Sequence, residues 1–143
     1  TIISVSGANF LKGIGFVGLP LVICFIILTA FINIFIAVDS AKWAIMAPIF
    51  VPMFMRLGLS PELTQVAYRI GDSSTNIIAP LMPFFVLTVA FFQKYDKKAG
   101  IGSVISTMLP YSICFLLGWI VLFSLWYLLG LPLGPGAPLF YPA

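Results

Sequence analysis

Charge is what this sequence has least of. Only 8% of its 143 residues are Asp, Glu, Lys or Arg, against 62% hydrophobic, and the mean hydropathy is +1.17. A water-soluble domain carries about a quarter charged residues, so this chain cannot cover a water-facing surface and its solvent is expected to be lipid. Histidine is absent, which removes His-based catalytic triads and metal triads from within the chain. The two cysteines, Cys24 and Cys114, sit far apart in apolar runs with no CxxC, so free thiols are expected in place of a disulfide framework or zinc site. No GxxxxGK[ST] motif and no glycine-rich phosphate cradle occurs, so nothing here binds a nucleotide through those devices. The net charge of +3 is no nucleic-acid footprint, because Lys94, Lys97 and Lys98 share one short loop and no basic stripe is interleaved with aromatics. No basic segment, short apolar core and cleavage site follow Thr1; the chain is expected to be a piece of a longer protein.

What is present is a series of apolar runs punctuated by proline. Residues 1–19 read as the end of a preceding helix and a connecting segment. An uncharged stretch of 26 residues runs from Gly13 to Val38, long enough for a bilayer that needs about 20, with Pro20 marking the start of its regular helix. The polar stretch 39–42 follows, and then a shorter apolar run from Trp43 to Met55 that contains Pro48 and Pro52, each lacking a backbone donor. A long arm, a tight polar turn and a short arm predict a re-entrant hairpin over 20–57 with its tip near 39–42; two ordinary spans are the rival reading.

Ser60-Pro61-Glu62 has the chemistry of a helix start, with an N-cap, a proline at the first helical position and an acid in the first turn. The helix is expected to run to about Asp72, give way to unwound backbone near 73–80, and resume to residue 93, making 61–93 a broken transmembrane helix. The loop 94–100 is basic, which marks it as cytoplasmic. A last helix is expected over 101–129, kinked at Pro110, and a Pro/Gly-rich tail over 130–143 cannot continue it. This orientation leaves the C-terminus periplasmic or extracellular, with the hairpin opening to the same side. The fold class is therefore an all-α, polytopic membrane bundle with a re-entrant hairpin and a broken helix.

Four ionisable residues lie in or beside apolar segments: Asp39, Lys42, Arg69 and Asp72. A charge at a helix centre costs about 2.5–3.5 kcal/mol on insertion scales, so such residues face the protein interior and are functional by default. The plainer reading is that the i,i+3 pairs Asp39/Lys42 and Arg69/Asp72 each neutralise themselves; for the first pair the two readings stay level, since a hairpin tip can be wet. Arg69 and Asp72 border Ser73, Ser74, Thr75 and Asn76, poor lipid-facing residues. Broken helices near the midplane are where secondary transporters build sites, half-helix termini attracting ions and unwound carbonyls coordinating Na⁺. Arginine suits bidentate capture of a carboxylate, and an aspartate can ligate Na⁺ or carry a proton. Asn33 is either a packing hydrogen bond or a ligand-facing amide, and Trp43 either an anchor or a stacking surface.

The stretches 39–55 (DSAKWAIMAPIFVPMFM), 60–83 (SPELTQVAYRIGDSSTNIIAPLMP), 93–102 (QKYDKKAGIG), 108–112 (MLPYS) and 129–136 (LGLPLGPG), with Asn33, resemble the p-aminobenzoyl-glutamate transporter (AbgT) family across nearly the whole chain. Members are three to four times longer, so the resemblance implies a C-terminal portion and one half of an inverted repeat, whose other half would come from an N-terminal remainder. It further implies a bacterial inner-membrane protein, usually a homodimer, that moves small aromatic anions: p-aminobenzoyl-glutamate inward, or p-aminobenzoate and sulfonamides outward. The matching motif positions are Asn33, Ser40, Trp43, Pro61, Arg69, Asp72 and Pro80. On that resemblance Trp43, Arg69 and Ser40 are expected to meet substrate. Asn33, Asp72, Ser73 and Asn76 are expected to handle the coupling Na⁺ or H⁺, with a Na⁺ near Asn33 and Asp72, and Pro61 and Pro80 to shape the backbone. No other cofactor and no enzymatic activity is expected. Asp39 stands where the family commonly has a small residue. The rivals are a Na⁺-coupled dicarboxylate or citrate symporter of the same architecture and a non-transporting scaffold subunit.

Overall fold

The computed structural model describes residues 2–36 and 38–141; Thr1, Ala37 within the hairpin and the last two residues of the tail lie outside the described residues. Every regular element among them is helical: α1 (Ile2–Ile14), α2 (Leu19–Phe35), α3 (Asp39–Arg56), α4 (Pro61–Thr75) with a 3₁₀ turn (Asn76–Ile78), α5 (Pro83–Tyr95) and α6 (Ile101–Leu128).

α2 starts at Gly18, whose φ of 84° suits only glycine among common residues, with Pro20 in its first turn. Between α2 and α3 the backbones of Ile36 and Val38 are both extended. The polar stretch 39–42 then forms the first turn of α3, where Asp39 faces the positive helix end. The two arms are consequently near-equal, 17 and 18 residues, because the polar residues join the second arm instead of the turn. α3 also continues as helix through Pro48 and Pro52. The arms meet through aromatic rings, Phe25 against Phe50 and Phe54 at 4.8 and 5.1 Å.

α4 begins as its sequence signals dictate, with the Leu63 N–H donating to Ser60 Oγ at 3.1 Å. It runs past Asp72 because its hydroxyls turn inward: Ser74 and Thr75 donate to the carbonyls of Ile70 and Gly71 at 2.7 and 2.9 Å, an i−4 bond compatible with helix. The break falls instead at residues 79–82. Ala79 and Met82, the residues before Pro80 and Pro83, both have extended backbones, as the steric demand of a following proline requires.

The core of the bundle is α4 laid across α2. At the crossing, a Cβ on Gly71 would lie 2.5 Å from the Ile26 carbonyl oxygen and 3.0 Å from the Ala30 nitrogen, so only glycine permits this backbone approach, the packing device of apolar solvents. Val22, Phe25, Ile26, Phe54, Leu63, Ala67 and Tyr68 fill the space around it. The tail folds back onto the α3–α4 loop, with Ser60 N–H donating to Leu139 O and Tyr141 N–H to Gly58 O at 3.1 and 3.0 Å.

α6, with 28 residues, is about 42 Å long at 1.5 Å per residue, enough to cross a bilayer, as is the broken unit Pro61–Tyr95. Ser112, near its middle, donates to Ser74 O at 2.6 Å. The end of α4 therefore sits beside the middle of α6, with the hairpin tip bonded to it through Asn33 and Lys42.

Candidate functional site

Where the hairpin tip meets the end of α4, three polar side chains are buried together: Asn33 at 0%, Lys42 at 1% and Asp72 at 1% exposure. Asn33 comes from the last turn of α2, Lys42 from the first turn of α3 and Asp72 from the last turn of α4. The Lys42 ammonium donates both to Asn33 Oδ1 and to Asp72 Oδ1. The Asn33 amide nitrogen faces Asp72 O, Thr75 Oγ1 and Asn76 Oδ1 at 3.0, 2.9 and 2.7 Å. Such a cluster is tolerable at this depth only because each charge has a partner. Pairing is incomplete at two atoms: Asp39 Oδ1 and Asp72 Oδ2 are buried without a hydrogen bond.

Beside the cluster a cleft of about 500 Å³ is lined by Asp39, Ser40, Trp43, Gln65, Tyr68 and Arg69, within the size range of small-molecule sites. Trp43 and Tyr68 form its aromatic wall, their rings 4.7 Å apart and tilted by 52°. The Tyr68 hydroxyl donates to Asp39 O at 2.8 Å, tying the wall to the start of α3. Arg69 is largely exposed; its guanidinium stands 3.8 Å from Asp72 Oδ2, too far for a hydrogen bond, and its donors remain available to the cleft. Asp72 thus touches both regions, one oxygen toward Lys42 in the buried cluster and the other toward Arg69 at the cleft.

The sequence matches the profile of the AbgT putative transporter family over residues 1–141. This chain belongs to the AbgT family. Similarity to individual AbgT-family proteins is consistent with that assignment. The chain is 44% identical over 134 residues to the p-aminobenzoyl-glutamate transport protein of Escherichia coli K12, covering 94% of this chain and 26% of that protein. Two solved structures share its fold. One is the Alcanivorax borkumensis YdaH transporter, at 52% identity and a TM-score of 0.89, with 94% of this chain and 29% of that chain covered. The other is Neisseria gonorrhoeae MtrF, described with a class of antimetabolite efflux pumps, at 56% identity and a TM-score of 0.83, with 96% and 27% covered. The AbgT chain described here therefore spans a little over a quarter of the length of these relatives. Family and helices together make it a membrane protein.

Within this AbgT-family chain the structure brings Asn33, Asp72 and Asn76 into one cluster and Ser40, Trp43 and Arg69 around one cleft. Ser73 is placed outside the cluster: it is exposed, in a groove that it shares with Gln65, Arg69, Ile70 and Trp119. A helix turns about 100° per residue, so Ser73 points away from the face that Asp72 shares with Thr75, its neighbour at i+3. Pro61 opens α4 and Pro80 sets the break. Lys42 is the residue whose place the sequence concealed. Its i,i+3 partner Asp39 stands at 4.0 Å, while its direct bonds go 30 and 9 residues away. Thr75 joins the site from the polar run already marked beside Asp72, while Tyr68 and Gln65 join with no signal beyond their spacing from Arg69 and Asp72 along one helix.

Proposed function

We propose that this chain forms the C-terminal part of an ion-coupled secondary transporter that carries p-aminobenzoyl-glutamate or related p-aminobenzoate and sulfonamide compounds across the bacterial inner membrane. The observation that carries this reading is the sharing of Asp72 between a buried cation-binding cluster and an aromatic, arginine-bearing cleft. A ring of the substrate stacks on Trp43 and Tyr68, an arrangement worth about 0.5–1.5 kcal/mol beyond area burial for protein ring pairs. A substrate carboxylate takes the free donors of Arg69, for which the guanidinium fork is suited, with Ser40 at the cleft rim. Binding there draws Arg69 away from Asp72, changing the charge balance that the buried cluster feels, and this is how substrate and ion sense each other.

The coupling ion is Na⁺ or H⁺. For Na⁺ the oxygen donors at hand are Asn33 Oδ1, Asp72 Oδ1 and O, Thr75 Oγ1 and Asn76 Oδ1, a hard set of the kind such a cation takes. The buried, unbonded Asp72 Oδ2 is a further acceptor for a cation or a proton. An N-terminal remainder supplies the matching half of an inverted repeat, the full protein is a homodimer, and the C-terminus is periplasmic. Catalysis is no part of this reading.

The test is accumulation of labelled p-aminobenzoyl-glutamate by proteoliposomes that hold a full-length transporter containing this chain, with Na⁺ and H⁺ gradients imposed separately. Accumulation under one gradient is expected, with KM raised at least tenfold in Arg69→Ala and less in Arg69→Lys. Excess succinate is expected to compete poorly, because it offers no ring to Trp43. No movement in either direction under either gradient sinks the proposal; activity indifferent to Arg69→Ala and Asp72→Ala favours a scaffold.

A further inference from the structure

The buried cluster has a surplus of acceptors. Five oxygens converge on it: Asn33 Oδ1, Asp72 Oδ1 and O, Thr75 Oγ1 and Asn76 Oδ1. The Thr75 hydroxyl proton is directed to Gly71 O, so its oxygen arrives as an acceptor. One amide, with two hydrogens for the three oxygens it faces, and one ammonium serve these five. Asp72 Oδ2 is left without a hydrogen bond. The Lys42 ammonium occupies the position between Asn33 Oδ1 and Asp72 Oδ1 that a bare cation would take.

Lys42 also has a second place to go. Asp39 Oδ1, buried and without a hydrogen bond, lies 4.0 Å from the Lys42 nitrogen and belongs to a residue of the cleft wall. The Tyr68 ring lies 5.5 Å from the same nitrogen, within cation–π reach. A rotation of the flexible lysine stem by about one to two ångströms at its tip, on the order of the excess over a normal hydrogen-bond length, delivers the ammonium to Asp39 without breaking the helix that carries it.

We propose that Lys42 is a tethered resident cation that Na⁺ displaces: Na⁺ takes its place at Asn33 Oδ1 and Asp72 Oδ1 while the lysine moves to Asp39 at the cleft. This rests on the transporter reading and gives it an exchange step in which one positive charge replaces another at Asp72. The occupied cluster stays charge-balanced, and the charge of the cleft changes as the ion arrives. Bond-making is limited to ion pairing and hydrogen bonding, with no covalent step.

The experiment uses the full-length transporter in detergent, without substrate, comparing NaCl with choline chloride. In the wild type, acetylation of Lys42 by acetic anhydride, read by peptide mass spectrometry, is expected to rise at least fivefold with Na⁺ while Lys94, Lys97 and Lys98 are unchanged. Lys42→Met removes the competitor, and the apparent Na⁺ affinity read from the rise in melting temperature is expected to tighten at least tenfold. Should that variant fail to fold in choline, Asp39→Asn keeps the resident pair but removes the second position, and Na⁺ affinity is expected to weaken at least threefold. Lys42 labelling that ignores Na⁺, Na⁺ affinity unchanged in the variants, or no response to Na⁺ in any protein overturns the proposal. H⁺-driven transport of the aromatic anion without these Na⁺ effects overturns it while leaving the transport reading intact; Na⁺-dependent exposure of Lys42 without transport does the reverse.

Discussion

Two residues show how far a single atom can decide matters in this chain. Gly71 is needed because α2 and α4 cross with backbone against backbone; the atoms a Cβ would strike include a carbonyl oxygen and an amide nitrogen, which cannot swing aside as a side chain can. Gly71→Ala is expected to lower stability by about 1–3 kcal/mol, the usual scale of overpacking, seen as a lower apparent melting temperature of the full-length protein. The second residue is Asp72. Asp72→Ala takes from the Lys42 ammonium its buried partner and leaves it Asp39 at 4.0 Å, so the loss is expected at or below the about 3–5 kcal/mol of a buried pair broken outright. The double variant Asp72→Ala, Lys42→Met removes both charges and is expected to be more stable than Asp72→Ala alone. Thermal unfolding of the four proteins of that cycle measures the coupling.

At the level of elements, α4 carries most of the consequences. Its start is local chemistry: Ser60 accepts from Leu63 N–H, and Ser60→Ala is expected to cost about 0.5–2 kcal/mol, with faster amide exchange at Leu63. Its course past Asp72 contradicts the simplest expectation from a run of polar residues. Hydroxyls can satisfy themselves against carbonyls one turn back, so Ser74 and Thr75 are compatible with a continuous helix in a dry setting. The interruption comes after the 3₁₀ turn, where prolines force Ala79 and Met82 out of helical geometry. Likewise the polar stretch 39–42 belongs to a helix because Asp39 and Lys42 gain from its first turn: one faces the helix dipole, and the other is aimed inward at α2 and α4.

Across the whole molecule, the position of Ser112 near the middle of α6 sets the depth of everything bonded to Ser74's end of α4. The α5–α6 loop and the tail stand at opposite ends of α6, since one precedes Ile101 and the other follows Leu128. The tail is held beside the α3–α4 loop by its bonds to Gly58 and Ser60, which fixes the hairpin's open end on the tail's side. If Lys94, Lys97 and Lys98 mark the cytoplasmic face, a cysteine at position 97 in a background lacking Cys24 and Cys114 reacts with an impermeant maleimide only in inside-out vesicles. A cysteine at position 137 then reacts only in right-side-out vesicles. Both reacting from the same side would disprove the α6 crossing.

The solvent, the helical class, the Ser60 helix start and the set of residues worth watching were legible in the amino-acid order, because each follows from local chemistry: too few charges for water, a cap geometry spanning one helical turn, and the expense of charge in lipid. Family likeness was legible for the same reason, since Asn33, Trp43, Arg69 and Asp72 stand in or beside long matching stretches. Which of those residues meet is set by the packing of the helices. Lys42 could satisfy itself with Asp39 one turn away, and the residues alone leave that pairing level with a functional role. The fold instead brings Asp72 from another helix to within bonding distance, and a buried ammonium takes the partner that is also buried, since there the attraction is least screened by water. Ser73 fell outside the cluster because a helix turns about 100° per residue, which carries the position after Asp72 round to the exposed side of α4.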